Sequence, residues 1–283
     1  MLIGCDRGIP VDQKRQAGRV RRMTLQLEGK RICVTRARSQ SKRLTALLEE
    51  NGAEVVGLPL IEVVPTNSRK VLDEVLEQPG VYDWILFTSA NGVHYFFREL
   101  VAACEDIRSI AFARIACVGQ ATADAVREFN LRTELMPSET NAESLAAALV
   151  ETGSLDSARV LVVVGNRNQQ TLPRILEKDG NAIVDIAEVY ETQMTDLSGC
   201  DEAREFCRHG ADAILFTSAS TVEAFTDQAG SLQLDSGARV PKAFSIGPMT
   251  SEALAGAGIP LAAEAPEASL DALVAIVAKS LSA

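Results

Sequence analysis

The sequence has only two histidines, one tryptophan and three tyrosines in 283 residues. With His94 and His209 as the sole imidazoles, and no C-x-x-C pair among six cysteines, no zinc-ligand spacing is present. No stretch approaches the roughly 20 apolar residues that cross a bilayer, and the first 22 residues lack the apolar segment of a secretory signal. The glycine-rich phosphate signatures G-x-x-x-x-G-K-[ST] and G-x-G-x-x-G are missing, so nucleotide use has no support. A G-x-S-x-G nucleophile turn is missing too, and neither histidine has a serine or cysteine partner in sequence. Covalent, metal and cofactor chemistry are therefore not expected, and no cofactor is assigned.

Basic charge is also short. The chain carries a net charge of −10, and Arg7, Lys14, Arg15, Arg19, Arg21 and Arg22 all fall in residues 1–22. That stretch reads as a disordered basic extension ahead of Met23. What remains has 22 basic against 36 acidic residues. Such a body lacks the basic footprint of a nucleic-acid binder. It also implies that an anionic ligand would not be held mainly by Lys and Arg. Cys33 and Cys117 lie in apolar runs and read as small core residues. Together with Cys5, Cys104, Cys200 and Cys207 they suggest a reduced, cytoplasmic protein, and the acidic surface suits a soluble monomer.

What the sequence does hold is an internal repeat. The run Trp84 to Val93 (WILFTSANGV) aligns with Ala213 to Val222 (AILFTSASTV) at an offset of 129 residues. Ala116 to Thr122 (ACVGQAT) aligns with Phe244 to Thr250 (FSIGPMT) at an offset of 128. The earlier part of each pass agrees as well. Arg31 to Thr35 reads as a strand, Ser39 to Glu50 as a helix ended at Asn51-Gly52, and Glu54 to Leu58 as a strand. The second pass has Arg159 to Val164, Asn168 to Lys178, Gly180, and Ala182 to Val189. Leu44, Leu47 and Leu48, and likewise Leu270, Leu273, Val274 and Val277, keep the spacing of one helix face. Strands alternating with helices of ten to fifteen residues predict an α/β chain with parallel sheets. Two β-prone stretches break the alternation, at residues 58–65 and 186–193. Prolines flank the first, and both read as exposed connectors able to pair as a two-stranded hinge.

Strand-to-helix turns line the crevice where α/β sheets bind ligands, and their free N–H groups favour anions. Ser89, Asn91, Ser218 and Ser220 stand at such turns, as do Gly119-Gln120, Gly247-Pro248 and Gly165-Asn166. Each serine or asparagine could simply cap its helix, a contribution of about 1 kcal/mol. Four equivalent turns in two facing units point instead to a shared anion cleft built from neutral donors. His94 reads as solvated or capping, and His209-Gly210 as a helix end.

Taken in order, Ile32-Cys33-Val34-Thr35-Arg36, Gly52 to Val55 with Leu58 to Ile61, Tyr82 to Val93, Val118 to Thr122, Val189 to Thr192 and Ile246 to Thr250 resemble the uroporphyrinogen-III synthase family, from about Gly29 to Leu281. The resemblance implies two Rossmann-like domains joined by a two-stranded β ladder. One domain would be discontinuous, residues 23–58 plus 193–283, and the other residues 66–186. It implies a cofactor-free cyclisation of hydroxymethylbilane, a linear tetrapyrrole with eight carboxylates, with loss of water and inversion of the last pyrrole ring, in haem biosynthesis. Tyr190 would be the functional tyrosine. Arg36, Ser89, Asn91, Thr122, Gly165, Asn166, Arg167, Ser218, Ser220, Gly247 and Thr250 would contact substrate. Arg167 enters because relatives often have Arg-Gly where this chain has Val164-Gly165. Neither a membrane nor a nucleic acid is expected as partner, although transient contact with the hydroxymethylbilane-forming enzyme is. A non-catalytic two-lobed module for an anionic small molecule is the competing expectation.

Overall fold

The structure is a computed structural model describing residues 26–110, 112–167 and 170–282. The basic stretch at residues 1–22 lies outside the described residues, as does Asn168, where the second-pass helix was expected to start. In chain order the elements are β1 (Arg31–Val34), α1 (Arg38–Glu50), β2 (Glu54–Gly57), β3 (Ile61–Pro65), α2 (Lys70–Glu77), β4 (Trp84–Phe87), α3 (Ala90–Cys104), β5 (Arg114–Cys117), α4 (Gln120–Glu128) and α5 (Ala142–Glu151). There follow β6 (Arg159–Gly165), α6 (Thr171–Lys178), β7 (Ile183–Met194), α7 (Asp201–His209), β8 (Ala213–Phe216), α8 (Ala219–Asp227), β9 (Lys242–Ser245), α9 (Pro248–Gly256), β10 (Leu261–Glu264) and α10 (Leu270–Leu281).

Short apolar strands such as WILF and AILF are buried along their whole length, because helices cover both faces of each sheet. Side chains alternate between those faces. Ile85 and Phe87 enter a core with Val93, Phe96, Phe97 and Leu100 of α3. Trp84 and Leu86 enter another with Leu145 and Leu149 of α5. In the same way Cys33, Ile214 and Phe216 share one core, and Ile32, Val34 and Leu215 another with Leu44, Leu48, Leu273 and Val277.

Two five-stranded sheets result, in the orders β10-β9-β8-β1-β2 and β3-β7-β6-β4-β5. Every pairing is parallel except β3 with β7. The repeat explains the orders. An offset of 128 or 129 residues carries β4 onto β8, β5 onto β9, β6 onto β1 and β7 onto β2. The run β5-β4-β6-β7 thereby becomes β9-β8-β1-β2, so this four-stranded part of each sheet takes two strands from each pass. The antiparallel ladder obeys the same rule. Its pair Glu62↔Gln193 shifts onto Tyr190↔Pro65, and Val63↔Thr192 onto Val64↔Glu191.

The second stretch expected as a separate connector, residues 186–193, lies inside one 12-residue strand. β7 runs parallel to β6 as far as the Gly165↔Tyr190 pair, then antiparallel to β3. Full exposure does not hold either, since Ile61, Ala187 and Val189 are buried. Packing against α3 and α8 keeps their apolar faces from water. Pro65 closes β3 on the edge of its sheet, where a missing N–H is tolerated. Among the described residues no helix is long and apolar enough to cross a membrane.

Candidate functional site

Strand order reverses between β1 and β8 in one sheet and between β4 and β6 in the other. In open α/β sheets that switch point, at the carboxyl ends of the strands, is where ligands bind. Beyond the ends of these strands come Arg36 after β1, Ser218 and the helical Ser220 after β8, and Ser89 and the helical Asn91 after β4, while Gly165 is the last residue of β6. A cavity of about 300 Å3 lies between them. Arg36, Gln40, Ser89, Asn91, Tyr190, Thr192, Thr217, Ser218, Ser220 and Thr221 give its polar lining, and Ala37, Ala90, Ile61 and Val63 its apolar part. A hollow of about 640 Å3 beside α4, lined by Arg127 and Arg132, lies away from these strand ends, whereas one of about 320 Å3 adjoins the cavity and shares Ala37, Ile61 and Val63 with it.

Tyr190 lies where β7 changes partners. The register shift between Val164 and Gly165 puts an extra residue in β7, and such bulges re-aim side chains. The phenol oxygen stands 3.0 Å from the Ser89 hydroxyl, and the ring lies 5.8 Å from that of Tyr95, which itself donates to the Val63 carbonyl of β3 at 2.8 Å. Burial pushes the Tyr190 pKa up and the Ser89 hydrogen bond opposes this; the phenol is therefore a protonated donor at neutral pH. Ser89 also caps α3, accepting from the Gly92 N–H at 3.0 Å. One oxygen thus serves as cap and as partner of the tyrosine.

Gly165 makes room for that ring. A Cβ there would stand 2.5 Å from both Cε2 and Cζ of Tyr190. Asn166 uses its amide on the backbone of Thr192, accepting from its N–H at 2.9 Å. Arg167 pairs with Glu223 of α8, across from its own sheet. Ser218 caps α8 and meets Ser220 oxygen to oxygen at 2.9 Å. Thr122 and Thr250 occupy matching buried positions in the first turns of α4 and α9, and Gly247 precedes α9. These three do not line the cavity. His94 is exposed on α3 beside Phe129, and His209 ends α7.

Arg36 is the one charged side chain lining the cavity, and it has no carboxylate partner among the described residues. Burial pulls its pKa below the usual guanidinium value, though it stays charged. A half-buried, unpaired cation is costly, and an incoming carboxylate relieves that cost. Gln40, which sequence reasoning passed over, takes a hydrogen bond from Arg36 at 3.3 Å and gives one to the Asn91 side chain of the opposite sheet at 2.7 Å. Its trace in the sequence is its place four residues after Arg36. Among the described residues no cluster of three or more His, Cys, Asp or Glu side chains is placed to hold a metal ion.

The family model described as "Uroporphyrinogen-III synthase HemD" matches residues 42–275. The "Porphyrin biosynthesis protein HemD" of Ruminiclostridium josui is 32% identical over 227 residues, 80% of this chain but 44% of that protein. The chain thus spans less than half of that relative. The uroporphyrinogen-III synthase of Synechococcus elongatus is 32% identical over 231 residues, 80% of this chain and 85% of its own. Among solved structures, a mutant uroporphyrinogen III synthase of the extremely thermophilic bacterium Thermus thermophilus aligns with a TM-score of 0.61 at 21% identity, covering 89% of this chain and 98% of that one. The enzyme of Helicobacter pylori aligns with a TM-score of 0.60 at 19% identity, covering 89% and 99%. At such identities these two show the shared fold.

Proposed function

The chain belongs to the uroporphyrinogen-III synthase family, and from that premise we propose that it cyclises hydroxymethylbilane to uroporphyrinogen III in the cavity between its two switch points. The observation that carries this is the lining itself: one unpaired arginine, hydroxyls and amides, and no carboxylate, in a chain of net charge −10. A ligand with eight carboxylates meets no repulsion there and one waiting cation.

The chemistry asks for placement more than for reactive groups. As the substrate hydroxyl departs it must take up a proton, leaving as water. Tyr190 is the donor in reach, kept protonated by burial and held by Ser89. Departure leaves an electron-poor azafulvene. The substituted carbon of the last pyrrole then attacks it to form a spirocyclic intermediate. The older bond from that carbon to the neighbouring methylene breaks, and the methylene bonds instead to the ring's unsubstituted alpha-carbon. Loss of the proton there restores the pyrrole with the ring inverted and the macrocycle closed. Holding this attack ahead of simple closure is an orientational task, and orientation can lower a barrier by about 7–11 kcal/mol. Closure of residues 23–58 plus 193–283 against residues 66–186 on the β3–β7 ladder would enclose the substrate. Thr122, Gly247 and Thr250, outside the cavity as it stands, would reach substrate carboxylates only on such closure. Five described cysteines, all unpaired, suit work in a reducing compartment.

The test is a coupled assay in which porphobilinogen and a hydroxymethylbilane-forming enzyme supply substrate and the oxidised product isomers are separated. Type III product in proportion to added protein is expected, and Tyr190→Phe should lower kcat with little change in KM. If only type I product forms, as in spontaneous closure, the synthase reading fails and the non-catalytic module takes its place.

A further inference from the structure

We infer that Gln40 is a positioning residue of this site, one that fixes what both sheets present to the substrate. The inference rests on the synthase reading and names a further residue for it. Arg36 Nη2 donates to Gln40 Oε1 at 3.3 Å, and Gln40 Nε2 donates to Asn91 Oδ1 at 2.7 Å. All three side chains line the same cavity, and the relay runs from α1 beside one sheet to α3 beside the other.

The order of donors and acceptors in this relay is forced. A guanidinium can only donate, so the carboxamide oxygen of Gln40 must face Arg36. Its NH2 group must then face Asn91. Asn91 in turn has to offer its oxygen to Gln40, which turns its own NH2 away. The relay hides the acceptor of Asn91 and leaves its donors for the ligand. It also holds Arg36 without neutralising it, which a carboxylate at position 40 would not do. A cavity built to take carboxylates is thereby given donors on both walls, although Asn91 by itself could have presented either end.

The test uses the full chain and three variants, Gln40→Ala, Gln40→Glu and Asn91→Ala, with Arg36→Met as reference. Coupled-assay kinetics are read beside fluorescence titration with uroporphyrin III, an octacarboxylate probe. Losing one neutral hydrogen bond and one long bond from the guanidinium in Gln40→Ala should weaken uroporphyrin binding and raise KM about 3- to 20-fold, with kcat less affected. Gln40→Glu keeps the size of the side chain but pairs with the guanidinium, and should be worse than Gln40→Ala, approaching Arg36→Met. Combining Gln40→Ala with Asn91→Ala should cost less than the sum of the two single effects, because both remove the one Gln40–Asn91 bond. Melting temperatures check that each variant is folded. Unchanged binding and KM in Gln40→Ala, a Gln40→Glu variant milder than Gln40→Ala, or full additivity with Asn91→Ala would each overturn the inference while type III product from the unaltered chain upholds the synthase reading. If the unaltered chain forms only type I product, the synthase reading falls by itself, and the uroporphyrin titrations decide the relay.

Discussion

Gly165→Ala is the sharpest probe of how the site is built. The added Cβ would stand 2.5 Å from Cε2 and Cζ and 2.9 Å from the hydroxyl oxygen of Tyr190. The obstacle is an aromatic ring whose hydroxyl meets Ser89 and whose face lies against Tyr95. The ring must therefore swing away, breaking the Ser89 contact. Overpacking of this kind costs about 1–3 kcal/mol. Gly165 is an ordinary extended strand residue, so the alanine brings no backbone penalty. In a Tyr190→Ala background the clash is gone, and the same Gly165→Ala change should then stabilise by about 0.4–1 kcal/mol, through lost freedom of the unfolded chain. The effect of one substitution thus reverses sign with the residue at position 190. Urea denaturation of the four proteins measures it, and the coupled assay should show Gly165→Ala as depleted in kcat as Tyr190→Phe. An equal destabilisation in both backgrounds would refute the reasoning, since the ring would not be what the glycine accommodates.

Other consequences can be measured with the same tools. Arg36→Met should raise KM about 10- to 150-fold, the equivalent of one charge-assisted contact to a carboxylate at about 1.5–3 kcal/mol, with kcat nearly kept. Gly210→Ala should cost at least about 3 kcal/mol in urea denaturation: its φ is +63°, and the new Cβ would stand 1.9 Å from the Arg239 carbonyl oxygen. Arg31→Met should cost about 2 kcal/mol. The buried guanidinium loses Glu54, Glu205 and the Gly210 carbonyl, but the two carboxylates are exposed enough to rehydrate, so the roughly 3–5 kcal/mol of a fully buried pair does not apply. Burial raises the pKa of all three tyrosines, Tyr82, Tyr95 and Tyr190. Absorbance at 295 nm should therefore show no tyrosinate step at about pH 10 while the chain is folded. Above that pH the unfolded chain releases protons that the folded one retains, so stability should fall as pH rises through and beyond about 10.

The framework was legible because it is periodic and repeated. Fully apolar runs announced strands buried on both faces, and the fixed offset announced equivalent strand ends, so Ser89, Asn91, Ser218 and Ser220 could be placed from spacing alone. What stayed hidden depends on contacts between residues far apart in sequence. Gln40 is one more polar residue on a helix until Asn91, 51 positions later, is brought to it. Asn166 looked free to bind, yet its amide is committed to Thr192. Arg167, expected to face substrate in place of a missing arginine, is held by Glu223. The continuity of β7 was missed because its apolar and polar halves were read as two segments. The strand continues past its bulge by exchanging β6 for β3 as its partner at Tyr190.

The repeat also shows where the two halves of the site diverge. Ser89 maps onto Ser218, Asn91 onto Ser220 and Thr122 onto Thr250, so helix starts on both sides keep neutral donors. By the same offset Arg36 maps onto Val164, and Tyr190 maps back onto Glu62. The cation exists on one side only and the buried phenol on the other. A symmetric cleft would accept a linear tetrapyrrole in either direction, and closure would then have no preferred end. On the roles proposed for Arg36 and Tyr190, a carboxylate-binding charge and a proton donor on opposite walls would give the substrate a direction. A reaction inverting only the last ring requires such a direction, and the two positions that differ between otherwise matching passes are where the proposed reading puts it.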